Sequence, residues 1–323
     1  MGQLGMRRST TLVVVGALVA SLATALVGES RADAATRLEP TTVRIAGESR
    51  LGTAAALSRT AFPSGAATVV VARADAYADA LAGSPLAAAL DAPILLTPPD
   101  HLAAEAAAEV DRLGARSAVL LGGTGALAPA VADALASRGL AVERIGGTDR
   151  YDTAAQVAAR VRELAVDPLT PTGAFVVEGA SADPGRGWPD AVAVAPLAAQ
   201  LRWPILLTHG TSLPDATAAG VDAMRADGLS GLTIVGGTGA VSGDVEAALI
   251  RRHPVVDRIA GQTRYETSAK VTARHLEHVD ATTVLLASGA NWPDALVSGP
   301  AAAAMQAPLL LTPPDGLAGP AAE

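Results

Sequence analysis

The chain has 323 residues, a formal net charge of −8 and a composition that is half hydrophobic but only 2% aromatic. That length suggests two or three domains with sizeable cores. The acidic balance and the lack of any basic-aromatic stripe argue against nucleic-acid binding, and the absence of cysteine excludes disulfide bracing and thiol chemistry. Basic charge is almost all arginine, Lys270 being the only lysine.

In chain order, the first segment reads as an export leader. Arg7 and Arg8 form a charged start, Thr11 to Val27 is apolar and helix-prone, and Ala32-Asp33-Ala34 fits the small-x-small cleavage pattern. Cleavage after Ala34 is expected. An uncleaved membrane anchor is the rival reading, for which the run is slightly short. The later apolar runs PILLT and AVLLGG are much too short to span a membrane, so no membrane contact is expected once the leader is gone. The processed chain would carry a net charge of −9, and residues 35–43 read as a linker.

From residue 44 onward one pattern recurs. RIAGESRLGTAA starts at 44, RIGGTDRYDTAA at 144 and RIAGQTRYETSA at 258, giving periods of 100 and 114. Each phrase leads into an apolar run: TVVVA at 68–72, AFVVE at 174–178, TVLLA at 283–287. An aromatic residue two before an aspartate comes next (Tyr77/Asp79, Trp188/Asp190, Trp292/Asp294), then Pro85, Pro196 and Pro300 in Ala-rich segments. After these stand PILLT at 93–97 and 204–208 and PLLLT at 308–312, and then LLGGTGAL at 120–127 and IVGGTGAV at 234–241. The longer second period fits an insertion around Ser181–Gly187.

Short runs that are apolar throughout, alternating with Ala-rich stretches of helical length, are the pattern of parallel strands covered on both faces by helices. A period near 100 residues lets each unit own a core, unlike a solenoid repeat. The expected fold is α/β: tandem small Rossmann-like or flavodoxin-like domains with parallel sheets, at 44–143, 144–257 and 258–323, the third copy truncated. Thr312 aligns with Thr97, so counterparts of residues 109–143 are absent from the third unit. The expectation is a fragment, or a product that continues.

Several positions are candidates for chemistry. Ser49, Asp149 and Thr263 are N-cap residue types, and Asp152 and Glu266 complete capping boxes after the glycine turns at Gly47, Gly147 and Gly261. Arginine pairs flank those turns in every unit: Arg44/Arg50, Arg144/Arg150 and Arg258/Arg264. Arg50, Arg150 and Arg264 fall near a helix start, where the dipole disfavours a cation, so each needs a first-turn acid, a partner unit or an anionic ligand. Asp79, Asp190 and Asp294 sit between strand and helix, where structural hydrogen bonding outweighs catalysis. Five of the six Trp and Tyr residues occupy two repeat positions: Tyr77, Trp188 and Trp292, and Tyr151 and Tyr265. Such rings fill contacts between units or offer flat faces to a sugar. GTGALA at 123–128, with Glu143 downstream, and the spacing of Gly237, Gly239, Ser242 and Asp257 resemble a dinucleotide fingerprint; tight strand-to-helix turns are the plainer reading. His275 and His278 lie three apart on a probable helix and read as two exposed histidines rather than a zinc pair. Neither H-E-x-x-H nor G-x-S-x-G occurs. No catalytic set, cofactor or metal is expected.

The phrases RIAGxxRYxT, WPDAL, PILLT and GGTGA, in tandem order across 44–323, resemble the cell wall-binding repeat type 2 family. The resemblance implies a secreted Gram-positive surface protein whose repeats pack about a pseudo-threefold axis and hold it non-covalently to an anionic secondary cell-wall polymer. It also implicates the PILL motif in polymer binding, which points to Pro93, Ile94, Leu95 and Leu96, to Pro204, Ile205, Leu206 and Leu207, and to Pro308, Leu309, Leu310 and Leu311. Unit one departs from the pattern, with Leu51 in place of the tyrosine and Tyr77-Ala78 in place of Trp-Pro. Two other readings remain: an exported α/β enzyme or small-ligand (nucleotide) binder using the GGTG loops, and a self-assembling surface-layer protein.

Overall fold

The computed structural model describes residues 12–15, 41–164, 173–317 and 319. The chain opens with β1 (Leu12–Val15), β2 (Thr42–Ile45), α1 (Arg50–Ala61), β3 (Thr68–Arg73), α2 (Gly83–Ala89), β4 (Ile94–Thr97), α3 (Ala104–Leu113), β5 (Ser117–Leu121), α4 (Pro129–Ala136) and β6 (Ala141–Ile145). The second round is α5 (Arg150–Glu163), β7 (Gly173–Ala180), α6 (Pro189–Leu201), β8 (Ile205–His209), α7 (Asp215–Ala226), β9 (Gly231–Val235), α8 (Gly243–Arg252) and β10 (Val256–Ile259). The third is α9 (Arg264–Leu276), β11 (Val284–Ser288), α10 (Pro293–Leu296), α11 (Ser298–Ala304) and β12 (Leu309–Thr312).

Three sheets result. The first has order β4-β3-β5-β6 and the second β8-β7-β9-β10, and both are parallel throughout. The α/β class with parallel sheets is as the sequence predicts. In the third, β12-β11-β1-β2, only β11 and β12 pair in parallel, and β1 runs antiparallel to both its neighbours. Leu12–Val15 is therefore extended, where the sequence suggests helix. A run of three valines suits a strand once partners flank it on both sides. The remainder of the expected leader, its cleavage site and linker residues 35–40 lie outside the described residues. Among those described, no helix is long and apolar enough to cross a membrane.

The strands are buried because both faces are covered. In β3, Val70 and Ala72 face one cluster and Val69 and Val71 another, as alternation along a strand requires. The first cluster is common to all three sheets, drawing in Ile94, Val177, Leu207, Leu285 and Leu311. The second is private to sheet one, and a third, built on Val176, Leu206 and Ile234, is private to sheet two. PILLT forms an edge strand in each sheet. An edge suits its leading proline, which lacks a donor but offers its carbonyl: Pro93, Pro204 and Pro308 accept from Val70, Phe175 and Leu285 N–H.

The opening phrase bridges two sheets. Its strand joins one sheet, so that β6 pairs with β5 and β10 with β9, while the next helix in the chain packs on the neighbouring sheet, α5 on β8 and α9 on β12. Likewise β2 lies in the third sheet and α1 packs on β4 of the first. The caps are in place. Ser49 accepts from Gly52 N–H, Asp149 from Tyr151 and Asp152 N–H, and Thr263 from Glu266 N–H. Asp152 and Glu266 accept in return from Thr148 and Gln262 N–H.

Helices α2, α6 and α11 pack on one another. Small residues make that approach possible. A Cβ built on Gly299 would lie 2.4 Å from the Ser84 Cβ and 3.3 Å from that of Ala195. Ser84, Ala195 and Gly299 each immediately precede the repeat proline. The Ser84 hydroxyl is buried there without a hydrogen-bond partner. Gly299→Val should therefore destabilise the chain by about 3 kcal/mol or more through overpacking, whereas Ser84→Ala, which removes an unsatisfied hydroxyl, should be neutral or stabilising by about 1 kcal/mol. Urea unfolding of the two variants checks the contrast in sign.

Candidate functional site

The candidate arginine, aromatic and aspartate side chains gather where one repeat meets the next, at the C-terminal ends of the strands. In an open α/β sheet this is where ligands usually sit. The junction begins at a glycine turn. A Cβ on Gly47, Gly147 or Gly261 would come within 2.4 Å of the first turn of the next helix, so no side chain fits. The amides of these glycines donate to the hydroxyls of Thr53, Thr153 and Thr267 at 3.2, 3.1 and 3.0 Å. Thr153 in turn donates to Asp79 of the preceding repeat, and Thr53 donates to Asp294.

Arg50, Arg150 and Arg264 do two things at once. Each donates through Nη1 to a carbonyl at the C-terminal end of the strand of its own repeat: Ala74 (2.6 Å) and Gly289 (2.8 Å) just after β3 and β11, and Gly179 (2.8 Å) within the last residues of β7. Each also lies over the ring of a neighbouring repeat, at 5.1 Å for Arg50 of unit one on Trp292 of unit three, 5.9 Å for Arg150 on Tyr77 and 5.2 Å for Arg264 on Trp188. Cations that the helix dipole disfavours are thus held by strand-end carbonyls and aromatic faces across the junction. Arg264 also reaches Gly185 O at 2.8 Å. Among the described residues the other guanidinium nitrogens of Arg50 and Arg150 have no hydrogen-bond partner.

The second arginine set clamps the GGTG turn. Arg144 donates to Gly122 O and Gly123 O at 2.9 and 3.2 Å, and Arg258 to Gly236 O at 2.6 Å and to Glu246 at 3.0 Å. Gly122 (φ +99°) and Gly236 (φ +117°) are left-handed, and an added Cβ would touch Asp79 and Asp190 at 2.6 and 2.4 Å. Arg44, the third member of the set, is exposed and has no partner among the described residues. A dinucleotide turn runs straight into its helix, but α4 begins at Pro129, six residues after Gly123, and Arg144 and Asp79 already flank the turn.

The aromatic positions are packing positions. Trp188 is 1% exposed, Tyr151 is buried, and Tyr77 meets Trp292 edge-on at 5.7 Å. The PILL residues are core: Pro93 to Leu96, Pro204 to Leu207, Pro308, Leu309 and Leu311 are buried, and Leu310 is half-buried. The threonine after each motif closes the adjoining loop, Thr97 donating to His101 O, Thr208 to Ser212 O and Thr312 to Gly316 O. His275 corrects the sequence reading. It is 1% exposed with Nε2 unpartnered, and burial lowers its pKa to about 4; His278 is exposed. Among the described residues no cluster of metal-ligating side chains occurs.

The second junction carries more polar groups than the others. A cleft of about 480 Å³ opens between Glu178, Arg186, Asp190, Gly239, Gln262 and Arg264. Arg186, from the predicted insertion, pairs with buried Glu178 at 3.4 Å and donates to Gly239 O. Outside this cleft, Tyr151 shares a 2.8 Å hydrogen bond with His209. Sequence reading passes over Glu178, Arg186 and His209 because unit one has Ala72 and unit three Ala287 at the position of Glu178, so repetition does not flag it. The threonine relay does leave a signal, the T common to the three phrases.

These sheets and junctions define an α/β binding module assembled from repeated units. The chain belongs to the cell wall binding domain 2 (CWB2) family, which matches residues 44–141, 144–246 and 258–322. It is 33% identical over 274 residues to N-acetylmuramoyl-L-alanine amidase LytC of Bacillus subtilis (strain 168), covering 85% of this chain and 51% of the amidase. It is 31% identical over 276 residues to the amidase enhancer of the same organism, covering 85% and 35%. The chain thus spans about half and a third of these relatives. Among solved structures, Cwp6 from Clostridium difficile superposes with TM-score 0.73 at 26% identity, covering 83% of this chain and 41% of that one. Cwp8 from the same organism superposes with TM-score 0.70 at 31% identity, covering 82% and 44%. Cell wall binding domains imply a cell-surface location, and the residues matched are those of binding repeats.

The buried aspartates set a pH dependence. Burial pushes Asp294 up to about 6 against the hydrogen bond from Thr53 and the charge of Arg50; burial, with Glu178 adding to it, does the same for Asp190. A carboxyl raised in the folded state contributes stability that is full below the unfolded value, near 4, and is lost as pH rises through about 6. Asp294→Asn should therefore stabilise the chain at pH 7.5, by at most about 3 kcal/mol, and leave it unchanged at pH 3.5. Urea unfolding at the two pH values measures the difference; equal effects at both would contradict the assignment.

Proposed function

We propose that this chain is a secreted protein of a Gram-positive envelope, organised as leader (1–34), linker (35–43) and three repeat units, that holds non-covalently to an anionic secondary cell-wall polymer and carries no catalytic centre in its repeats. In this reading the units pack as a pseudo-trimer, with one strand-end junction between each pair. The observation that carries it is the arginine of each opening phrase, held over an aromatic ring at the junction. At Arg50 and Arg150 one nitrogen is engaged by a carbonyl, which leaves guanidinium donors for an anionic group. The PILL strands would act from the core, by fixing the loops that come after them, rather than by touching the polymer.

An acidic protein meets an acidic polymer only where local positive charge outweighs the overall repulsion. Three similar junctions on one chain then convert weak contacts into firm retention through effective concentration. Similarity to an amidase and to an amidase enhancer, each only partly covered, supports a targeting role beside activities carried elsewhere.

Retention on purified walls should accordingly fall as salt rises. Arg50→Gln combined with Arg150→Gln should weaken low-salt retention roughly tenfold while the circular-dichroism spectrum is preserved, and removing the secondary polymer from the walls should abolish binding. Salt-indifferent retention, or equal binding to stripped walls, would refute arginine-led polymer binding.

A further inference from the structure

We propose that the cleft at the second junction is a subsite for a neutral sugar ring, held through its hydroxyls by Asp190, Arg186 and Gln262. The inference rests on the reading of the chain as a wall-polymer binder. It adds an uncharged, directional contact beside the arginines that the other two junctions offer to an anion.

The site is built from features that unit two has and the other units lack. Glu178 stands where they have Ala72 and Ala287. The insertion delivers Arg186, which engages Glu178 and Gly239 O through Nη2 alone. It also delivers the carbonyl of Gly185, which accepts from Arg264 Nη2 at 2.8 Å while Arg264 Nη1 donates to Gly289 O at 2.8 Å. At Arg50 and Arg150 a single nitrogen is engaged in this way. The arginine that elsewhere keeps donors for an anion is here tied to the protein by both terminal nitrogens.

The aspartate is left open instead. Thr153 and Thr53 donate to Asp79 and Asp294, but Thr267, at the corresponding place, gives Asp190 no such hydrogen bond, and among the described residues no other donor reaches that carboxyl. Asp190 is half-buried on the cleft wall. Burial, with the charge of Glu178 behind it, disfavours its ionised form, and Arg264 and Arg186 oppose that. A carboxyl so placed has lost much of its water without gaining a protein donor, and a ligand O–H supplies one.

Charge selects what can enter. Glu178 and Asp190 balance Arg186 and Arg264 around one cleft. An anionic group there meets two carboxylates and an ammonium group meets two guanidiniums, at a cost that poor solvation raises. A hydroxyl avoids both. It donates to Asp190 and accepts from the unengaged nitrogens of Arg186 or from the exposed Gln262 amide, and adjacent hydroxyls on a ring do both at once. The volume of about 480 Å³, with Tyr265 in the wall, is that of a small-ligand pocket.

The test titrates the isotope-labelled full chain with glucose, galactose, N-acetylglucosamine and N-acetylmannosamine, and with glucosamine and glucuronate as charged comparisons, while NMR follows the amides of Gly239 and Gln262. At least one neutral sugar should shift both amides, equally at low and high salt, and the charged sugars should bind at least tenfold more weakly. Asp190→Ala should cost at least tenfold in sugar affinity while the urea midpoint is no lower than that of the parent; an aspartate with a purely structural role would lower the midpoint and leave the affinity of the folded fraction alone. Gln262→Ala, at an exposed side chain, should weaken binding severalfold, and it serves as the measure should Asp190→Ala fail to fold. The proposal is overturned if no neutral sugar shifts these amides, if a charged sugar binds as well, or if neither variant loses affinity. Because wall retention by the arginines depends on salt and sugar binding does not, salt-sensitive retention without sugar binding overturns this subsite alone and leaves the arginine-led reading in place.

Discussion

A repeat of this chain does not complete its own sheet. The strand of each opening phrase is hydrogen-bonded into one sheet, and the helix that begins a few residues later packs on the next. Between them lies a glycine whose missing side chain lets the backbone pass within contact of the helix start. That crossing organises the junctions. It brings the threonine hydroxyl of one repeat to the aspartate of the previous one, and it lays an arginine over the previous repeat's aromatic ring. Because the central core is common to all three sheets and α2, α6 and α11 touch, the units are bound by apolar burial as well as by the shared strand.

The polar groups at these junctions are compromises. Burial alone would discharge Asp79, Asp190 and Asp294, and the neighbouring arginines oppose it without winning: all three carboxyls stay above their ordinary values. The arginines, set at helix starts that repel them, are tethered by carbonyls at the C-terminal ends of strands. Each group thus offsets part of the cost of another. A cation held by one carbonyl and one ring remains partly open to a further acceptor, which is the physical basis for proposing a ligand-facing role beside the structural one.

Most of the fold is legible in the sequence because buried parallel strands read as uninterrupted apolar runs and capped helices announce their starts. TVVVA, PILLT and the Ser49, Asp149 and Thr263 caps need no tertiary information. Pairing between distant segments is the illegible part. Nothing in TVRI states that it will lie in a sheet with residues 284–312, and nothing in LVVV distinguishes a leader helix from a strand until partners are present. The same gap explains His275. It shares a helix face with Val271 and Thr272 that other parts of the chain cover, so burial fixes its state. The arginines stand out in the sequence as cations at helix starts, but their partners are backbone carbonyls, which leave no mark there.

Repetition makes scaffolds alike and leaves strand ends free to differ. At one such end unit one has Ala72, unit three Ala287 and unit two Glu178, and only beside Glu178 does an insertion deliver Arg186 to a carboxylate and to the carbonyl of Gly239. His209, bonded to Tyr151, stands where the other units have a proline. The second sheet stays parallel like the first, but β7 shifts its register against β8 between Glu178 and Ala180, so the changes are felt at the strand end that faces the junction. One junction is thereby distinct, with the carboxylates of Glu178 and Asp190 and the arginines Arg186 and Arg264 around a single cleft. Under the proposed function, three equal sites would grip a regular polymer in any register, and one distinct site would favour a single placement of it.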